Sequence, residues 1–207
     1  MPGLLITFEG PEGAGKTVQA KRLVDFLRAE GKPASLTREP GGTRLGEQVR
    51  SIVLAQAQGD HAIDPLADAL LFNAARAQLV AEVIKPALVA DEVVVCARFA
   101  DSTLAYQGYG AGVGLAELRS IAEIATTGIA PDLTILLDVP PAVGLARKAD
   151  DSRNRFEAAF DLAFHERVRA GFLELARGEP DRWRVIDATR AADAVFADVR
   201  AAVEERL

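Results

Sequence analysis

The sequence predicts an α/β fold: an open, five-stranded parallel sheet flanked by helices, in three layers. Three observations predict it. Five short apolar runs, at 4–8, 34–37, 93–96, 133–138 and 183–187, have the length of strands. Segments with helical spacing of apolar residues separate them, and strands that alternate with helices form parallel βαβ units. Between the first run and the first helix lies Gly10-Pro11-Glu12-Gly13-Ala14-Gly15-Lys16-Thr17, the spacing G-x-x-x-x-G-K-[ST].

The motif explains its own spelling. Glycines let the backbone wrap closely, so that successive N–H groups point at phosphate oxygens. Lys16 adds a mobile positive charge for the outer phosphates, and Thr17 offers a hydroxyl to Mg²⁺. The helix that starts after Lys16 favours an anion at its N-terminus. Strand, glycine loop and helix in this order predict a P-loop NTPase fold, with residues 10–17 as the nucleotide-binding loop.

The elements follow in order. Val18, Leu23, Val24 and Leu27 share a face of the first helix, which should stop near Gly31. The second strand runs into Arg38-Glu39-Pro40-Gly41-Gly42-Thr43, a charged turn at a strand's carboxyl end, where open parallel sheets bind ligands. Leu45, Val49, Ile52 and Val53 give the next helix an apolar face, and 56–62 reads as an exposed loop. Asp64-Pro65 opens a long helix over 66–90, with Pro86 a kink or a second start. Phe72, Ala75, Arg76 and Leu79 lie on one face of it. Arg76 has two readings: a snorkelling stem with its head in water, or a guanidinium presented with the Phe72 ring to a planar ligand.

Arg98 sits just past the third strand, and Cys96 reads as a small buried residue. Residues 99–114 read as a loop containing Tyr106-Gln107-Gly108-Tyr109-Gly110, before a helix over 115–127. The fourth strand ends in Asp138, and Pro140-Pro141 opens another helix. From Arg147 to Arg155 the apolar pattern disappears among Arg147, Lys148, Asp150, Asp151, Arg153 and Arg155. Such a run is a solvated loop, or a mobile lid whose arginines close on phosphates. Helices over 156–176 and 190–206 flank the last strand. His61 and His165 lack metal-ligand spacing and read as surface residues.

The 207 residues suffice for one well-cored domain, and 49% hydrophobic with 26% charged residues is an ordinary globular balance. A net charge of −6 is the wrong sign for a broad nucleic-acid surface, although local arginines still suit a small anion. One cysteine excludes an internal disulfide and fits a reducing cytoplasm. The early strand leaves no room for a signal peptide, and no apolar run is long enough to span a membrane.

Several segments together resemble bacterial thymidylate kinase: Phe8-Glu9-Gly10 running into the phosphate loop, Thr37-Arg38-Glu39-Pro40-Gly41-Gly42-Thr43, Phe72-Asn73-Ala74-Ala75-Arg76, Ala105-Tyr106-Gln107-Gly108, Pro131-Asp132-Leu133-Thr134 and Leu137-Asp138-Val139. The resemblance spans nearly the whole chain. It implies one domain over 1–207 that transfers a phosphoryl group from ATP to dTMP with Mg²⁺, as a cytoplasmic homodimer. It implies dTMP-binding segments at 38–50, 72–76 and 98–107 and a lid at about 147–157. By resemblance Phe72 stacks on thymine, and Arg76 donates to its exocyclic oxygen, which suits a carbonyl and rejects cytosine's amino group. Glu12 meets the sugar 3′-hydroxyl, and Tyr106 crowds the 2′ position. Arg50 and Arg98 hold the monophosphate, with Arg38, Pro40 and Gln107 in the same substrate site. Lys16, Arg98 and the lid residues Arg153 and Arg155 share the catalytic charge.

One position departs from the family. Ala97-Arg98-Phe99 stands where relatives carry Asp-Arg-aromatic, and that Asp organises Mg²⁺ beside Thr17. Three readings remain: a diverged enzyme whose metal is supported by Asp138 or Glu9 with water, an introduced alanine that weakens the enzyme, or a relative that only binds nucleotide. Another P-loop nucleotide kinase is the alternative activity.

Overall fold

Alternation of apolar side chains builds the sheet from both faces. The computed structural model describes residues 3–55, 63–147 and 160–207. The strands are β1 (Leu4–Glu9), β2 (Ala34–Arg38), β3 (Val93–Ala97), β4 (Leu133–Asp138) and β5 (Trp183–Asp187). They pair in parallel in the order β2-β3-β1-β4-β5. Along β3, Val93, Val95 and Ala97 face one core, while Val94 and Cys96 face the other. A strand buried on both sides is apolar almost throughout, as β1, β3 and β4 are, whereas the edge strands β2 and β5 keep polar, exposed positions.

The helices are α1 (Lys16–Ala29), α2 (Arg44–Val53), α3 (Pro65–Leu79), α4 (Lys85–Val89), α5 (Ala100–Thr103), α6 (Leu115–Thr126), α7 (Pro141–Ala146), α8 (Leu162–Gly178) and α9 (Ala192–Glu204). On one face Leu23 and Leu27 of α1 and Val199 and Val203 of α9 pack against Ile6, Phe8, Ile135 and Leu137. On the other, Leu79 and Ile84 meet Leu5, Val94 and Phe99. A third cluster joins Tyr106, Leu118, Leu136, Phe164, Phe172 and Trp183. Asp64 caps α3 with bonds to the N–H groups of Leu66 and Ala67.

Three expectations need correction. Helix runs from Pro65 to Val89 with Pro86 at a second start, α4, as expected, but a π-helical turn at Val80–Ile84 intervenes. Pro86 lacks an N–H and crowds the carbonyl four residues back, so the ladder widens before the α pattern resumes. The loop expected at 99–114 is α5 followed by a π-helical segment, Leu104–Gly110. Its glycines serve packing: a Cβ on Gly110 would sit 2.7 Å from the Phe164 ring, and one on Gly171 of α8 2.5 Å from Tyr109. His165, read as a surface residue, is buried in α8. The expected loop at 56–62 with His61, and the lid beyond Arg147 with Arg153 and Arg155, lie outside the described residues.

Strand order places β1 between β3 and β4, so the chain crosses in opposite directions from the middle of the sheet. The crevice that this opens lies at the strands' carboxyl ends. In register, Arg38, Ala97 and Phe8 end a row there, immediately before the phosphate loop.

Candidate active site

The phosphate loop leaves β1 with positive φ at Gly10, Gly13 and Gly15. Gly13 is required twice over. Its φ is 69°, and a Cβ there would lie 1.9 Å from the Gly144 carbonyl oxygen. A Cβ on Gly144 would lie 2.1 Å from the Glu12 carbonyl oxygen, so loop and α7 meet backbone to backbone. Lys16 Nζ donates to the carbonyls of Gly10 (2.9 Å) and Pro11 (2.7 Å). Gly10, Pro11 and the buried Ala14 thus shape the loop from behind. Glu12, Gly13, Gly15, Lys16 and Thr17 line a cleft of about 400 Å³. Arg147 closes this end, donating to the Gly13 and Ala188 carbonyls.

Arg98 faces the loop across the cleft. Its backbone is left-handed, φ 72°, and its N–H donates to the Phe8 carbonyl at 2.9 Å. Its Nη2 donates to Glu12 Oε1 (2.5 Å) and to the Tyr106 hydroxyl (3.1 Å), and Nη1 donates to Ser102 Oγ (3.2 Å). The Tyr106 hydroxyl itself donates to Glu12 Oε1 at 2.9 Å. Burial opposes the Arg98 charge, but Tyr106, Glu12 and Glu9 outweigh it and hold the guanidinium above its ordinary value. Burial raises the Tyr106 hydroxyl as well, so it remains a donor. Behind Arg98, Glu9 is fully buried and accepts from the Phe99 N–H (2.7 Å) and Ser102 Oγ (2.5 Å). Burial, then the charge of Asp101, pushes Glu9 up to about 7 against the opposing pull of Ser102, Arg98 and the Phe99 N–H.

The turn after β2 adds two arginines. Arg38 donates to both oxygens of Glu47 (3.0 and 3.1 Å), and Arg50 Nη1 donates to the Pro40 carbonyl (3.0 Å). Burial lowers the Arg50 value, and the positive charges of Arg38 and Arg98 lower it further against the pull of Glu47 and Glu12. Arg38, Pro40, Arg50 and Arg98 all line the cleft. Arg38 and Arg98 each weigh on Arg50 even with Glu47 and Glu12 among them, and an anion in the cleft would relieve that repulsion.

The far end of the cleft is partly apolar. Phe72, Arg76 and Gln107 line it. Arg76 decides between the two readings given to it, because its side chain is buried and no head reaches open water. Its Nε and Nη2 donate to Glu39 Oε2 (2.9 and 2.7 Å), Nη1 to Asn73 (2.6 Å) and Nη2 to Thr103 (3.0 Å). A guanidinium held on so many sides is rigid, and that suits a fixed donor toward a ligand. Gln107 is buried and donates to Asp68 at 2.9 Å.

The structure therefore brings together the phosphate loop, Arg38, Pro40, Arg50, Phe72, Arg76, Arg98, Tyr106 and Gln107. Sequence reading passed over Glu39 and Asp68 as site residues, and Ser102 altogether. Glu39 carried a signal, since it stands beside Arg38 in the charged turn. Asp68 carried none beyond its place in the long helix, and Ser102 none at all in a stretch that read as a loop. Ala97 puts a buried methyl group at the cleft wall. Of the acids considered in its place, Asp138 is held by both Nε and Nη2 of Arg169 (2.7 and 2.9 Å) and does not line the cleft.

Comparisons with known proteins place the chain in a family. A family model for thymidylate kinase matches residues 8–199. The thymidylate kinase of Deinococcus radiodurans is 55% identical over 99% of this chain and 98% of its own length. That of Roseiflexus sp. strain RS-1 is 48% identical over 99% and 95%. The crystal structure of thymidylate kinase from Ehrlichia chaffeensis superposes with a TM-score of 0.78 at 34% identity, covering 98% of this chain and 99% of that one. By fold, cleft and full-length similarity, the chain belongs to the thymidylate kinase family.

Proposed function

We propose that the chain transfers the γ-phosphoryl group of ATP to dTMP, giving dTDP and ADP. The observation that carries this is the arrangement of the cleft: a phosphate loop at one end faces the Arg38, Arg50 and Arg98 group, and the Phe72 and Arg76 end closes it. Two phosphate-bearing ligands thus enter one cleft head to head. In-line transfer between them gathers negative oxygens, so positioning and neutralisation supply most of the catalysis. No strong base is needed, because the acceptor phosphate is already anionic.

Each residue then has a task. Lys16 exchanges its carbonyl partners for phosphate oxygens of ATP. Arg38, Arg50 and Arg98 hold the dTMP phosphate, and Arg98 also faces the transferred group. Glu12, fixed by Arg98 and Tyr106, meets the sugar hydroxyl, while Tyr106 fills the 2′ side. Phe72 stacks on the base and Arg76 donates to its carbonyl. Arg153 and Arg155 complete the charge from the lid. Among the described residues no three His, Cys, Asp or Glu side chains gather into a metal cage. The donors present fit an Mg²⁺ carried in by the nucleotide's phosphates, with the Thr17 hydroxyl adding one oxygen. The ion's chemistry there is neutralisation of the outer phosphates. The single buried cysteine supports a cytoplasmic setting. Among the described residues no helix is long and apolar enough to cross a membrane.

Ala97 is the point to test. Its methyl stands beside the loop where a carboxylate would organise metal and arginine, and this reading makes the chain a weakened enzyme. Production of dTDP from dTMP and Mg-ATP is measured for this chain and for Ala97→Asp. The Asp variant should be faster by on the order of tenfold or more. Equal rates would assign the metal to another group. Nucleotide binding without turnover in either protein would overturn the kinase reading.

A further inference from the structure

Helix α3 carries Asp68, Phe72 and Arg76 one turn apart, so their side chains share a face. Phe72 and Arg76 line the cleft; Asp68 lies behind it, 4% exposed. Asp68 Oδ2 accepts from Gln107 Nε2 at 2.9 Å, and Gln107 itself lines the cleft. The two come from different elements, α3 and the π-helical segment.

The chemistry of this contact has a direction. An ionised carboxylate only accepts hydrogen bonds, whereas a carboxamide can turn either its oxygen or its nitrogen to a neighbour. In this contact Asp68 Oδ2 is the acceptor and the Gln107 nitrogen the donor. Gln107 must therefore present nitrogen to Asp68 and turn Oε1 the other way. Among the described residues no donor reaches that oxygen, and it is not sealed from the cleft. The wall then offers a fixed donor, Arg76, and a fixed acceptor, Gln107 Oε1. A base with a carbonyl beside a ring N–H matches that pair. A cytosine ring offers an amino group beside a bare nitrogen, the reverse pattern, and would leave groups on both sides unpaired.

We propose that Asp68 is a positioning residue for base selection: it locks the Gln107 amide so that its oxygen faces the cleft and accepts from a ring N–H. The inference rests on the kinase reading above and adds to it the residue that sets one end of base discrimination.

The test compares kcat/KM for dTMP and for dCMP. In Asp68→Asn the neighbour can donate or accept, so Gln107 is free to turn over. The dTMP-over-dCMP ratio should fall by on the order of tenfold or more, through KM for dTMP, with KM for ATP unmoved. Asp68→Ala, which lets water take the carboxylate's place, gives the same loss by a second route should the Asn variant not fold. Asp68→Asn combined with Gln107→Glu restores a one-way contact. One oxygen of the introduced carboxylate then accepts from the introduced carboxamide on α3, and the other faces the cleft. That double variant should recover the preference. A packing defect alone would lower both nucleotides together and show no recovery. An unchanged ratio in the single variants, or none regained in the double, overturns the proposal. If the unaltered chain phosphorylates neither nucleotide, the kinase reading fails separately. Calorimetric binding of dTMP and dCMP to the same proteins then supplies the ratio, and the same outcomes support or overturn the role of Asp68.

Discussion

The Arg98 guanidinium sits on a left-handed backbone between Glu12, Tyr106 and Ser102. That conformation disfavours a residue with a Cβ by roughly 1–2 kcal/mol, and here the bond to Phe8 helps to hold it. Replacement by lysine keeps the charge but loses the planar fork. Under the proposed function Arg98→Lys should lower kcat/KM for dTMP by on the order of 10²–10³, read from steady-state kinetics. Glu9, behind it, makes a pH prediction. It titrates at about 7 in the folded chain against an ordinary 4.5. The folded state therefore keeps a proton that the unfolded state releases between those values. The stability this confers is full below about 4.5 and is lost as pH rises to about 7, a change of about 3 kcal/mol. Glu9→Gln stays neutral, so its stability should fall less between about pH 5 and about pH 8 in denaturant titrations. An identical fall in both proteins would place the titration elsewhere. The phosphate loop was legible at this scale because its chemistry requires one spacing within eight consecutive residues. The contacts of Glu12 with Arg98 and Tyr106 were not, because they join residues distant in the chain, and only the fold brings them together.

Elements were legible where pattern and packing agree. The central strands announced themselves as short apolar runs, since both their faces are buried. The segment from Phe99 to Gly110 misled because glycine commonly signals a turn, whereas these glycines let α8 approach a π-helical segment. The approach makes a prediction. A methyl on Gly171 would fall 2.7 Å or less from the Tyr109 Cβ, Cγ and Cδ2, atoms too near the backbone to swing away. Gly171→Ala should destabilise the chain by about 1–3 kcal/mol, seen as a lower urea midpoint with an unchanged slope. The π-helical form also has a use. By widening the turn it sets Tyr106 and Gln107, adjacent in sequence, on the wall of one cleft.

At the scale of the whole molecule, α2, α3 and α6 pack side by side. Leu45, Ile52, Leu66 and Leu70 on the first two, and Ile124, 78% exposed, on the third, leave apolar groups in solvent. Exposed apolar surface across neighbouring helices is a place for a partner, and a second copy of the chain is the proposed one. Sedimentation equilibrium should give a dimer, and Ile124→Asp should shift it toward monomer; a monomeric unaltered chain would contradict the proposal. Sequence reading counted Leu45 and Ile52 with the buried face of α2, because periodicity finds an apolar stripe without saying which neighbour covers it.

The backbone meeting of Gly13 and Gly144 has a consequence for descent. A side chain at Gly13 would strike the Gly144 carbonyl and one at Gly144 the Glu12 carbonyl, so an exchange at one glycine is not repaired by an exchange at the other. The nucleotide loop and α7 are thus bound as one heritable unit, in which both residues are held to glycine.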